Sequence, residues 1–181
     1  YIVGGYFYSN SIDLGNGISL AHNGFGGDGM IIKYGSSGEV EWAKGIGGAY
    51  NDCISSVAGT SDGGYIVGGY FYSNSIDFGN GIILTGSGSM KGMLIKYSVN
   101  GEAEWAQKVE GGAVVEIKTV AETKDGGYIA GGNFDSSSID LGNGVSLTNK
   151  GSNDGMIIKY SRDGEVEWAQ GIGGSQQDLI Y

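Results

Sequence analysis

Two residues that could make a nucleophile and its base each occur once, Cys53 and His22. A thiolate beside an imidazole is a working catalytic pair. Here His22 lies in a Gly-rich stretch and Cys53 heads a run of small and β-branched residues, with no spacing that joins them. His22 therefore reads as a surface residue and Cys53 as a half-buried strand position. Glu39 and Glu41 return as Glu102 and Glu104, and again as Glu165 and Glu167. Paired carboxylates perform glycoside hydrolysis, but an i, i+2 pair on one strand, written three times, reads as the solvated edge of a sheet. Asp13, Asp77 and Asp140 each precede a Gly-Asn-Gly that carries Asn16, Asn80 or Asn143. Calcium takes six to eight oxygens, and one Asp with one Asn offers two or three. A turn held by Asp and Asn side chains fits the pattern better, with calcium at the three aspartates as the alternative. Tyr8 and Tyr72 stand where an apolar strand runs out. With Asn16, Asn80 and Asn143 they are the candidate ligand contacts, because exposed aromatics among Ser, Asn and Gly suit sugar stacking or protein contact.

The elements that hold these residues are repeats. Tyr1-Ile-Val-Gly-Gly-Tyr-Phe-Tyr returns at Tyr65 and, worn, at Tyr128-Ile-Ala-Gly-Gly-Asn-Phe-Asp. Trp42, Trp105 and Trp168 are spaced by 63 and 63 residues. Residues that recur in every unit are there because each unit folds alike. Chemistry in one place would need a residue that breaks the pattern. Within the second unit, Asp52 to Thr60 predicts a short strand, and Tyr65 to Tyr72 a strand buried on both faces. Asn80-Gly81 predicts a type I′ hairpin, Met93 to Tyr97 another buried strand, and Glu102 to Val109 a strand with one wetter face. No window sustains helical spacing. Four main strands plus an inserted hairpin per unit is the grammar of a β-propeller blade; a β-solenoid is the competing architecture. The expected organisation is an all-β segment of about three blades. Blade 1 covers 1–51 without its inner strand, blade 2 covers 52–114, blade 3 covers 115–176, and 177–181 begins a further inner strand. The Gly/Ser-rich loops Ala21–Asp28, Thr85–Lys91 and Thr148–Asp154 vary most, as loops free of packing do. A large flat indole on the outer strand would fill the widening gap between radiating sheets, so Trp42, Trp105 and Trp168 are expected to be docking residues.

Composition narrows the partners. Twenty Asp and Glu against ten Lys and Arg leave a net charge of −10, which repels phosphate backbones and argues against nucleic acid. No apolar run approaches a membrane span. With one cysteine there is no intrachain disulfide. The chain opens inside a strand pattern and stops inside the next unit, so it is read as a segment of something longer. Its partners would then be further blades of its parent chain, or copies of itself.

Several motifs in fixed order carry a resemblance. Asp28-Gly-Met-Ile-Ile-Lys-Tyr, Gly38-Glu-Val-Glu-Trp, Gly47-Gly48, Asp52 and Asp62-Gly-Gly-Tyr-Ile-Val-Gly-Gly together resemble the bacterial β-propeller repeat family often called SBBP. The Ser-Ile-Asp-Leu-Gly-Asn-Gly hairpin looks like versions of that repeat in large bacterial surface proteins. The resemblance implies a secreted or cell-surface propeller with no catalytic residues to carry over. The second unit departs from it, with Lys91 in place of Asp28 and Asp154, and Val115 in place of Asp52 and Asp178. Gly38-Glu-Val-Glu-Trp also resembles the tryptophan-docking motif of quinoprotein propellers, although the residues for a quinone are not found. The expectation is a non-catalytic extracellular module, without a cofactor, that binds a glycan or protein, adheres or acts as a spacer. A self-assembling structural protein and a fragment of a propeller enzyme are the alternatives.

Overall fold

Glycine-bounded apolar runs favour strands, and the computed structural model, which describes residues 1–181, contains strands and no helix. The first unit supplies β1 (Ile2–Phe7), β2 (Ser11–Asp13), β3 (Ser19–Ala21), β4 (Asp28–Tyr34) and β5 (Val40–Ile46). The second supplies β6 (Asp52–Gly59), β7 (Tyr65–Phe71), β8 (Ser75–Asp77), β9 (Ile83–Thr85), β10 (Lys91–Tyr97) and β11 (Ala103–Val109). The third supplies β12 (Val115–Glu122), β13 (Tyr128–Phe134), β14 (Ser138–Asp140), β15 (Ser146–Thr148), β16 (Asp154–Tyr160) and β17 (Val166–Ile172). The main sheets run β1-β4-β5, β6-β7-β10-β11 and β12-β13-β16-β17, and each unit inserts its own two-stranded hairpin. A β-solenoid would pair each strand in parallel with its counterpart one unit on. Every pairing here is antiparallel and lies within a unit, except one isolated antiparallel bridge between Gly111 and Ile139. The solenoid alternative falls, and the units stand as blades of a β-propeller segment.

The blades meet face to face. β6 lies against β1 and β4 of the blade before it, and β12 lies against β6 and β7. The middle strands serve both neighbours with period-two alternation. Val67, Phe71, Met93 and Ile95 join the core facing the first blade, together with Ile31, Ile46 and Ile54. Ile66 and Leu94 join the core facing the third, with Ile117, Val120 and Met156. This two-sided burial is why Tyr65–Phe71 and Met93–Tyr97 read as nearly continuous apolar runs. The glycine after each Tyr-Ile-Val lets the blades close up: a Cβ on Gly68 would sit 2.6 Å from Val120 and 2.7 Å from Ile117, and one on Gly4 would sit 2.7 Å from Ile54.

The inserted hairpins do not project freely. Each turns at Asn-Gly with positive φ at both central residues, 55° and 77° at Asn80 and Gly81, as a type I′ turn requires. Ile76, Phe78 and Leu84 are buried in the core shared with Ile46 and Tyr97, so the hairpin wedges between the outer parts of adjacent blades. Its tip points to the end of the blade opposite the variable loops, where the Asn80 amide donates to Ala103 O at 3.5 Å and the Asn143 amide to Val166 O at 3.4 Å. The variable loops, the starts of β6 and β12 and the ends of β5 and β11 share the other end, hereafter the loop face.

Candidate functional site

The tryptophans sit at the blade junctions. Trp42 packs edge-on against Tyr65 of the next blade at 5.8 Å between centroids, and Trp105 against Tyr128 at 5.6 Å. Each indole also covers a turn glycine of that blade: a Cβ on Gly101 would lie 3.1 Å from Trp42, and one on Gly164 would lie 2.8 Å from Trp105. Trp105 Nε1 donates to Arg162 O at 3.3 Å, anchoring the indole to the turn it covers. Trp168 is 45% exposed, and nothing lies within 4 Å of a Cβ on Gly38, the first-unit counterpart of Gly101.

The recurring acids find partners that sequence reasoning missed. Lys33, Lys96 and Lys159, embedded in the Met-x-Ile-Lys-Tyr strands, pair with Glu41, Glu104 and Glu167 at 3.1 Å in every unit. Lys96 and Lys159 also reach Asp62 at 3.0 Å and Asp125 at 3.2 Å, and each donates to a backbone carbonyl. The second glutamate of each pair is therefore not simply a solvated edge: it neutralises a nearly buried ammonium, which is how a charge is kept inside a sheet. The available signal was a lysine recurring inside a run that otherwise reads as buried.

One set of differences between units is correlated. The buried Asp28 and Asp154 lie against Gly47 and Gly173, where a Cβ would collide with the carboxylate. In the second unit both positions change: the buried residue is Lys91 and the glycine is Glu110. The Lys91 ammonium donates to Ser89 O at 2.6 Å and lies 5.3 Å from the centre of the Phe71 ring. Burial pushes its pKa down, and the charge of Glu110 opposes that. In the first unit the carbonyl equivalent to Ser89 O, that of Gly26, is met instead by His22 Nε2. The one histidine is thus a loop brace, packed edge-on to Phe7.

Cys53 is buried, and desolvation, followed by the charge of Glu116, pushes its thiol up, the wrong direction for a nucleophile. Asp13, Asp77 and Asp140 each accept the backbone N–H two residues on, from Gly15, Gly79 and Gly142, at 2.9, 2.8 and 2.9 Å. That is the Asx-turn geometry of a structural aspartate. The neighbouring amides of Asn80 and Asn143 turn to outer-strand carbonyls, so Asp and Asn of one hairpin have different partners. No three acidic, His or Cys side chains converge anywhere in the chain.

The repeat is broken in one place on the loop face. Between the first and second blades opens a cleft of about 530 Å³, lined by Phe25, Tyr50, Tyr72, Asn51 and Asn74 with two glycines. Phe25 is 98% exposed and Tyr50 51% exposed. One unit on, their counterparts are Gly88, Ala113 and Asp135, with Val114 and Ser137 for the two asparagines, and no cleft opens there. The walls are tied down. Phe25 N donates to Ala49 O at 3.1 Å, Tyr50 N to Ser73 Oγ at 3.0 Å, and Gly27 N to Asn51 Oδ1 at 2.8 Å. Buried Asp52 braces the floor by accepting from Gly48 N, Tyr72 N and the Ser73 hydroxyl; burial raises its pKa while those donors pull it down. Of the candidate contacts read from sequence, Tyr72 lines this cleft. Tyr8 is 67% exposed on the same face of the first blade, beside Gly27. Asn16, Asn80 and Asn143 sit at the hairpin tips, at the other end. Phe25 and Tyr50 were not singled out from sequence. Their signal was that they are aromatic where the other units are not.

No protein-family model matches the chain. A WD repeat-containing protein of Acanthamoeba polyphaga mimivirus, itself uncharacterized, is 30% identical over 141 residues, which make up 72% of this chain and 10% of that protein. The chain thus spans about a tenth of the length of this relative. WD repeats build propeller blades, so the likeness agrees with the fold.

Proposed function

We propose that the chain is a non-catalytic repeat module that holds a ligand on the loop face of its blades, in a secreted or surface-displayed protein. The observation that carries this reading is the cleft between the first and second blades. There, aromatic and amide side chains that break the repeat gather on a braced frame. The side chains that could have done chemistry are engaged otherwise: Cys53 in the core, His22 on a loop carbonyl, and the inner glutamates on lysines. The acidic composition and the resemblance to bacterial surface propellers support the extracellular setting. Retention of the labelled chain on immobilised polysaccharides and extracellular proteins tests the reading, with ester, glycoside and peptide substrates assayed in parallel. Retention without turnover is the expected result. Turnover that is lost on changing His22 or one acid overturns it, as does the absence of retention on every surface.

A further inference from the structure

We propose that the cleft between the first and second blades is a site for a neutral saccharide, an assignment that rests on the loop face being the ligand-holding surface. Three properties of the cleft point to this class. Its size is that of a small-ligand site: about 530 Å³ lies within the 300–1,000 Å³ usual for such pockets. A protein partner would need roughly 800 Å² on each side, far more than seven lining residues supply. Its chemistry is two-sided. The rings of Phe25, Tyr50 and Tyr72 offer flat apolar surfaces for the axial C–H faces of a pyranose. The asparagines offer donors and acceptors for hydroxyls: Asn51 spends its Oδ1 on Gly27 N, leaving its amide N–H groups free, and the Asn74 side chain makes no hydrogen bond. Finally, none of the lining side chains is charged, in a chain of net charge −10, so nothing there compensates an anionic ligand.

The dry, ordered walls favour a ligand that fits a preformed shape. The hydrogen bonds of Phe25, Tyr50 and Gly27 already fix the backbone around the opening, so little ordering remains to be done on binding. The opening is a trough and not an enclosed pocket, which lets an oligosaccharide pass through with residues extending on either side. Tyr8, exposed on the same face, lies on the first-blade side of that path. The counterpart junction, with Gly88, Ala113 and Asp135, lacks both the rings and the neutrality, so the site is single in this chain.

The test is a titration of the whole chain with cellotetraose, xylotetraose and chitotetraose, followed by backbone amide shifts. Tetragalacturonate and a neutral Gly/Pro-rich peptide serve as comparison probes. At least one neutral tetrasaccharide should shift the amides of Phe25, Tyr50 and Asn74 saturably. Changing Phe25→Ala and Tyr50→Ala together should weaken binding about tenfold, the loss of roughly one aromatic contact. Both side chains are exposed, so the variant should melt with the parent. Trp168→Ala, which removes an exposed aromatic away from the cleft, should leave binding unchanged and so separate the site from general aromatic stickiness. Tetragalacturonate bound as tightly as the neutral sugars overturns neutrality. Peptide binding at these amides without sugar binding overturns the saccharide class and leaves the ligand-holding reading standing. Sugar binding indifferent to the double variant overturns the cleft and likewise leaves that reading standing. No shift with any tetrasaccharide overturns the assignment, while retention on immobilised ligands judges the broader reading separately.

Discussion

Individual residues carry the junctions between blades, and their variants should show it. Trp105→Ala removes an indole that touches Tyr128 and shields Gly164, and should cost about 3 kcal/mol in denaturant unfolding, the low end for a large aromatic because its edge is wet. Trp168→Ala, 45% exposed, should cost about 0.5 kcal/mol or less. Gly164→Ala and Gly38→Ala form a matched pair, since both glycines have φ above 80° and both alanines are strained alike. The excess cost of Gly164→Ala over Gly38→Ala therefore measures the collision with Trp105. The linked differences at Lys91 and Glu110 should behave as a coupled pair. Lys91→Asp alone sets two acids together in a buried place, whereas Lys91→Asp with Glu110→Gly restores the arrangement of the other units. A double-mutant cycle should give a coupling of about 1 kcal/mol or more, and additive costs would show that the two positions are independent.

Elements are governed by their turns. Asn80 holds φ 55°, a conformation that costs an ordinary L-residue roughly 1 kcal/mol, so Asn80→Ala should destabilise by about that much while Asn80→Gly is nearly neutral. Changing Asp13, Asp77 and Asp140 together to Asn keeps an oxygen acceptor for each turn N–H. The triple variant should melt close to the parent, with or without calcium. A calcium-dependent rise in the parent that the variant loses would reassign these residues as ligands. The turns at the other corner titrate. The carboxyls of Asp62 and Asp125 are held down at about 2, first by the hydroxyls of Thr60 and Thr123, then helped by turn N–H groups and the lysines behind them. A carboxyl held below its unfolded value stabilises the fold fully above about pH 4 and loses that contribution as pH falls through the folded value. Urea melts should thus be flat from neutrality to about pH 4 and weaken towards pH 2. Asp62→Asn with Asp125→Asn should lower the plateau and flatten that acid limb.

At the scale of the molecule, each blade presents one face to the blade before it and another to the blade after it, and the same residue types return on each. Ile54 covers Gly4 and Gly29, and Ile117 covers Gly68 and Gly92. Ile180 lies likewise against Gly131 and Gly155, and Asp178 N donates to Asn153 O as Asp52 N does to Gly27 O. The trailing face of the third blade is therefore shaped for another unit. Continuing the chain after Tyr181 with a copy of residues 56–114 should bury Trp168 and Ile180 and raise the melting temperature. An unchanged melting temperature would mean that the blade faces are not interchangeable.

The sequence by itself determined the strands, the hairpins and the blade architecture, because these follow from local periodicity and turn chemistry written three times over. Asn-Gly demands positive φ wherever it stands, and an apolar run of seven cannot be wetted on either face. The tryptophan junctions were legible for the same reason, since a flat side chain on every outer strand has one gap to fill. Only the tertiary structure decided which polar residues were spoken for. Glu104 looked solvated until Lys96, eight residues away, came under it, and Asp62 joined them from a turn 34 residues upstream. The cleft was hidden most deeply. Phe25, Tyr50 and Tyr72 come from a loop, a connector and a strand end of two different blades, and no spacing along the chain announces that packing will bring them to one opening.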